Sequence, residues 1–320
     1  MSLVATNFYG LVDGSDSSLR KFLSTLPGVD QVGAEARAAM LATRSIKTTS
    51  KRWAIDTAIS MVDLTTLEGA DTRGKVEALC TKAVRPDPTN LAVPHVGAVC
   101  VYNDMVGIAR HHLDLVGGNN IPVAAVSTAF PSGRASMAVK IQDTSDAINA
   151  GAGEIDMVID RGAFLSGDLI GVFEEIVKIR EVCGEKAHLK VIFETGELVT
   201  YDNVRKASYL AMLAGADFIK TSTGKVAPAA TPPVVLVMLE AVRDFYTMTK
   251  TRIGVKPAGG IRNTKDAIKQ LVLVNEIAGP EWLTPALFRI GASALLNDLV
   301  MQRMKMDDGY YASPSYVTID

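Results

Sequence analysis

Short apolar runs alternate with longer stretches of helical periodicity from about Trp53 onward. Eight runs read as strands: 59–64, 96–102, 121–128, 154–159, 189–194, 218–221, 253–256 and 287–290. They are brief, rich in Val, Ile, Ala or Phe, and mostly flanked by Gly, Pro, Asn or Asp, as buried strands are. Between them apolar residues recur three and four apart. Val76, Leu79, Cys80 and Ala83 make one such face, behind a predicted cap at Asp71. Leu169, Phe173, Ile176, Ile179 and Cys183 make another, ended by Gly184. Thr231 before Pro232 predicts a helix start, as does Asn263 with Asp266 three residues on. A closing helix is expected over 292–304.

Eight strand–helix units over about 250 residues have the size and rhythm of a (β/α)8 TIM barrel, an α/β fold. A doubly wound open sheet is the alternative, but no G-x-G-x-x-G follows the first strand. Asp63, Asp156, Lys220 and Lys256 are expected at strand ends, where barrel chemistry is built. Residues 1–50 lack this rhythm and contain turn-forming GSDSS from Gly14 and a break at Pro27-Gly28. They predict a helical N-terminal extension packed on a barrel of residues 51–304. Residues 305–320 are poor in core side chains and predict a flexible tail.

Composition narrows the function more than the fold. The chain has 320 residues and a net charge of −2, which argues for neither nucleic acid nor an anionic membrane as partner. No apolar run nears the ~18 residues that span a bilayer. The opening MSLVATNFYG lacks the basic-then-apolar order of a secretory signal, and the closing VTID is no retention or peroxisomal address. Cys80, Cys100 and Cys183 are odd in number and widely spaced, reading as reduced thiols of a cytoplasmic protein. His95, His111, His112 and His188 show no ligand spacing, so no metal site is expected.

The chemistry centres on ADFIKTSTGK, residues 216–225. An ammonium ion in an apolar strand is costly to bury, so Lys220 should be neutral, paired or covalently occupied. A neutral lysine amine attacks carbonyls to form Schiff bases. The ordinary alternative is a solvent-facing lysine at a strand end. Lys256 ends the next strand, and adjacent strands lie about 4.8 Å apart, so the two lysines can be neighbours. A nearby ammonium would then lower the pKa of Lys220. Asp156, between apolar neighbours, must be paired or hydrogen-bonded. Gly224-Lys225, Gly259-Gly260 and Gly291-Ala292-Ser293 let backbone N–H groups approach an anion, and the last two stretches fall where barrels often hold phosphate.

FIKTSTGK resembles the active-site signature of the deoxyribose-phosphate aldolase family, which are class I, Schiff-base aldolases. GAGEIDMVID from Gly151, KVIFETGEL from Lys190 and GVKPAGGIR from Gly254 extend the resemblance in the family's order. It covers roughly residues 58–304. It implies reversible cleavage of 2-deoxy-D-ribose 5-phosphate to D-glyceraldehyde 3-phosphate and acetaldehyde, in deoxyribose phosphate catabolism, without metal or cofactor. Lys220 would form the imine, Lys256 would lower its pKa, and Asp156 would relay protons. A phosphate-binding role for Lys256 and a structural ion-pair role for Asp156 stay open.

Further residues match the family less specifically. Asp63, Thr65 and Thr66 match a stretch at the pocket floor, and Cys100 matches a pocket-side cysteine, although its strand position reads as a core thiol. Thr223 could hold a substrate hydroxyl or order its loop; Glu194 and Glu197 read as loop-fixing. Ala294 stands where the family often carries a second Ser or Thr, and Arg262 could add charge or face solvent. Bacterial members end in a tyrosine that reaches the site; Tyr310, Tyr311 and Tyr316 are the candidates here. The expected partners are small sugar phosphates and aldehydes, with a homo-oligomer allowed. Another Schiff-base aldolase specificity, or a silent sugar-phosphate-binding barrel, are the competing readings; intact Lys220, Lys256 and Asp156 oppose the second.

Overall fold

A computed structural model describes residues 8–311 and Ser313. Its strands are β1 (Val62–Thr65), β2 (Ala98–Tyr102), β3 (Val123–Ser127), β4 (Glu154–Val158), β5 (His188–Ile192), β6 (Phe218–Lys220), β7 (Gly254–Lys256) and β8 (Ile290–Ala292). Neighbours pair in parallel in the order β7-β6-β5-β4-β3-β2-β1-β8. Bridges from Val255 to Phe288 and from Ala258 to Gly291 bring the two ends together, making a (β/α)8 barrel and not an open sheet.

Successive strand residues face opposite sides. One parity, including Val99, Val101, Ile155, Met157, Leu189, Val191, Ile219 and Val255, joins the large apolar core shared with the helices. The other parity points into the barrel. On β2 and β3 it is apolar, with Cys100, Ala124 and Val126 packed against Leu67. Elsewhere it supplies Asp63, Glu154, Asp156, Lys190, Lys220 and Lys256, all buried. A barrel that buries so many charges must pair them.

Helices α1 (Asp16–Ser24) and α2 (Gln31–Leu41) precede the barrel, and their Leu19, Leu23, Ala34, Ala38 and Leu41 enter the same core. Phe8 packs on Phe173, with ring centroids 5.3 Å apart, and Tyr9 meets Phe245 edge-on at 5.0 Å. Helix α3 (Thr48–Ser60) packs against the helices Thr264–Ile277 and Leu295–Asp308. Among the described residues no helix is long and apolar enough to cross a membrane.

Several boundaries differ from the sequence reading. Ile59 does not open β1, because Ile55, Ala58 and Ile59 recur at helical spacing and bury as the inner face of α3. β8 begins at Ile290, after Leu287 and Phe288 donate their N–H groups to Thr284 in a turn. The helix Arg73–Val84 is capped by Thr72, whose side chain accepts from the Lys75 N–H. Asp71 instead accepts from Thr66 Oγ1 and the Glu68 N–H. Asn263 accepts the Asp266 N–H as expected, whereas Thr231 precedes its helix without a side-chain capping bond. The closing helix is Leu295–Asp308, longer than the expected 292–304.

Candidate active site

Lys220 and Lys256 end β6 and β7 and are register partners. Each Nζ donates to the same oxygen, Asp156 Oδ2, at 2.7 Å. The two nitrogens therefore lie no more than twice that distance apart, close enough for strong charge coupling. Asp156 and Asp63 are not at strand ends as expected. Asp156 is the third residue of β4 and Asp63 the second of β1. Their short carboxylates stay inside the barrel, and the long lysine side chains bring the amines to them.

Three further residues complete the cluster. Lys190 on β5 reaches Asp156 Oδ1 at 3.1 Å and also bonds Glu154 Oε2. Arg289 holds Asp63 Oδ1 at 2.7 Å and Glu154 Oε1 at 3.0 Å. Asp63 Oδ2 lies 2.5 Å from Lys256 Nζ, an ionic contact without hydrogen-bond geometry. The sequence reading missed Lys190, Glu154 and Arg289 as site residues. The criterion applied to Lys220 would have found two of them: Lys190 sits between Leu189 and Val191, and Arg289 between Phe288 and Ile290. Glu154 shares the parity of Asp156, two residues away.

The cluster separates its amines. Burial, joined by Lys256 and opposed by Asp156, lowers the pKa of Lys220 below the ordinary lysine value. Burial also opposes the charge on Lys256, but Asp156 and Asp63 outweigh it and raise that pKa well above the ordinary value. Lys190 is raised similarly, with Asp156 and Glu154 overcoming burial. Burial opposes ionisation of Asp156 and Asp63 too, yet the surrounding cations hold both below the usual carboxylate range. Of the three clustered lysines, Lys220 is thus the one whose pKa is pushed toward the neutral amine.

Above the cluster lies a cavity of about 540 Å³, with Lys220 in its wall. Every residue expected to bind phosphate lines it: Gly224, Lys225, Gly259, Gly260, Gly291 and Ser293. Thr65, Thr66, Thr223, Arg262 and Ala294 line it as well. Gly259 has φ +82°, and a Cβ there would come within 2.7 Å of the Ala229 Cβ. A Cβ on Gly291 would come within 2.9 Å of the Ala258 Cβ and 3.3 Å of Lys256 Cε. Glycine thereby lets the segments after β6, β7 and at β8 approach one another over the lysines. Lys225 spans the mouth to Glu68, Nζ to Oε1 at 2.8 Å.

The remaining candidates divide by position. Thr223 donates from Oγ1 to Glu194 and accepts the Lys225 N–H at 3.1 Å, which orders the loop after β6. Glu194 does this from a left-handed backbone conformation, φ +54°. Glu197 pairs with Arg161. Thr65 Oγ1 donates to the Asp63 carbonyl at 2.7 Å. Asp63 and Cys100 are fully buried and do not line the cavity; burial pushes the Cys100 thiol up, keeping it protonated. Tyr310 and Tyr311 are exposed, with the Tyr311 ring centroid 3.6 Å from Lys305 Nζ. Tyr316 lies outside the described residues.

A family model described as "DeoC/LacD family aldolase" matches residues 57–300. A human protein named deoxyribose-phosphate aldolase is 46% identical over 278 residues, covering 83% of this chain and 87% of that protein. A crystal structure from Toxoplasma gondii has a TM-score of 0.71 at 23% identity, covering 83% of this chain and 97% of its own. The tetrameric structure of deoxyribose phosphate aldolase from Aeropyrum pernix has a TM-score of 0.62 at 22% identity, covering 85% and 98%. These two structural likenesses concern the fold.

Proposed function

The chain belongs to the DeoC/LacD family of aldolases, which are lyases, and from that premise we propose that it cleaves 2-deoxy-D-ribose 5-phosphate through a Schiff base on Lys220. The observation that carries this reading is one carboxylate oxygen, Asp156 Oδ2, shared at 2.7 Å by two lysines of opposite pKa bias. The lysine biased toward the free amine is the one in the cavity wall.

Neutral Lys220 attacks C1 of the open-chain sugar, and loss of water leaves a protonated imine. A base removes the C3 hydroxyl proton as the C2–C3 bond breaks. The bond's electrons pass to the iminium nitrogen, leaving an enamine and releasing D-glyceraldehyde 3-phosphate. Protonation of the enamine carbon and hydrolysis return acetaldehyde and the free amine. Asp156 and Lys256 would move these protons through a water, and the ammonium of Lys256 favours a neutral neighbour. The phosphate would be held by backbone N–H groups at Gly259, Gly260 and Ser293, with Lys225 adding charge. Anchoring the far end orients the bond to be broken.

The same reading places the protein in deoxyribose phosphate catabolism in the cytoplasm, with three buried free thiols consistent with that compartment. Residues up to about 50 would then be an accessory to the barrel. The Aeropyrum pernix protein is a tetramer, and sedimentation would give the assembly of this chain. Borohydride reduction in acetaldehyde, followed by peptide mapping, tests the chemistry. It should place a reduced two-carbon adduct on Lys220; an adduct elsewhere, or no turnover of the sugar phosphate, refutes the proposal.

A further inference from the structure

The buried charges form a closed ring of alternating sign. Lys190 contacts Glu154, Glu154 contacts Arg289, Arg289 contacts Asp63, Asp63 contacts Lys256, Lys256 contacts Asp156, and Asp156 contacts Lys190. Each cation of the ring touches two carboxylates, and each carboxylate touches two cations. Three negative charges meet three positive ones, so the ring is neutral by itself. Lys220 is outside that balance. It touches a single carboxylate, Asp156, whose oxygens are already engaged by Lys256 and Lys190.

We infer that Lys190, with Arg289, is a positioning element that keeps Lys220 an unprotonated amine by supplying the positive charge that Asp156 would otherwise draw onto Lys220 as a proton, while Glu154 is the counter-charge that limits this effect. This rests on the Schiff-base reading and extends it to residues that need not touch the substrate. A seventh charge on a neutral buried ring has nothing left to offset its desolvation. The lowered pKa of Lys220, against the raised values of Lys190, Lys256 and Arg289, agrees with this. The charged groups facing Lys220 come from several elements, with Glu68, Lys75, Lys225 and Arg262 sharing its cavity. Lys190 and Lys256 stand on the adjacent strands, and Glu154 and Asp156 come from β4. Asp63 comes from β1, Arg289 precedes β8, and Cys100 on β2 stays protonated.

The test shifts the ring's net charge in each direction in the full-length protein. Removing a positive charge with Lys190→Met leaves the ring at −1 and should draw a proton onto Lys220. Removing a negative charge with Glu154→Gln leaves it at +1 and should push the proton away. A unit charge removed at about 8 Å shifts a titration by about 1.5 pH units at an effective dielectric near 20. The readout is acetylation of Lys220 by acetic anhydride against pH, quantified by peptide mapping, which needs no turnover. The midpoint should rise in Lys190→Met, fall in Glu154→Gln, and return toward the unaltered value in the double variant. Unmoved midpoints, or shifts of one sign in both variants, overturn the inference, since general loosening cannot move an amine in opposite directions. Glu154→Gln preserves side-chain shape and decides the matter if Lys190→Met fails to fold. Acetaldehyde trapping on the same proteins is read separately. Its absence from Lys220 sinks the Schiff-base reading, whereas the acetylation midpoints judge the ring.

Discussion

Replacing Lys256 with leucine removes a positive charge no more than twice 2.7 Å from Lys220 Nζ. At about 5 Å and an effective dielectric near 20, that charge repels a protonated Lys220 by roughly 3 kcal/mol, or about 2.4 pH units. Two further effects accompany its loss. Asp156 and Asp63 each lose a cation, which draws a proton toward Lys220; the added leucine lowers local polarity, which drives one away. The freed carboxylates sit directly in the cluster, so the net shift is expected upward. Below its pKa, the neutral fraction of Lys220 falls about tenfold per unit, so imine formation at pH 7 should drop by about two orders of magnitude. Raising the pH by two to three units should recover much of it. The assay is the initial rate of borohydride trapping with acetaldehyde from pH 6 to 10. A Lys256→Leu protein that has lost activity while its Lys220 titrates unchanged or lower would refute the reasoning. Lys256 would then act by moving protons or contacting substrate.

Lys220→Met should abolish trapping and turnover yet leave stability equal or higher. Folding lowers this pKa, so below the unfolded value of ~10.4 its protonation opposes folding, and the variant is relieved of that; a fall in Tm at pH 7 would contradict the neutral ring. Ser293→Asp, at the cavity wall, should raise KM for the phosphorylated sugar at least tenfold by repulsion and spare unphosphorylated deoxyribose; equal losses would move the phosphate site elsewhere. Glu68→Gln frees Lys225 from its ion pair across the mouth and should lower KM for the phosphorylated sugar a few-fold without changing kcat, most visibly at low salt. An unchanged KM at low salt would mean that Lys225 does not meet the phosphate.

Much of this protein is legible along one dimension. Short apolar runs with helical spacing between them mark eight strand–helix units, and Phe-Ile-Lys in the sixth marks Lys220 as a buried amine before any partner is known. The glycine-containing stretches at the ends of the sixth, seventh and eighth strands mark segments that do converge on one cavity. The strand edges at Ile59 and Leu287 were misplaced because local hydrophobicity is the same for a helix face, a turn and a strand; long-range pairing decides among them. The members of the ring could be found as charges among apolar neighbours, but their pairing had no one-dimensional signature. Lys190 and Arg289 are as apolar in their surroundings as Lys220, and sequence offers no reason to choose among the three. Closing the barrel makes the choice. It sets Lys190, Lys256 and Arg289 each between two carboxylates and leaves Lys220 with one, and the ionisation of a buried amine depends on that difference because too little water remains to screen it.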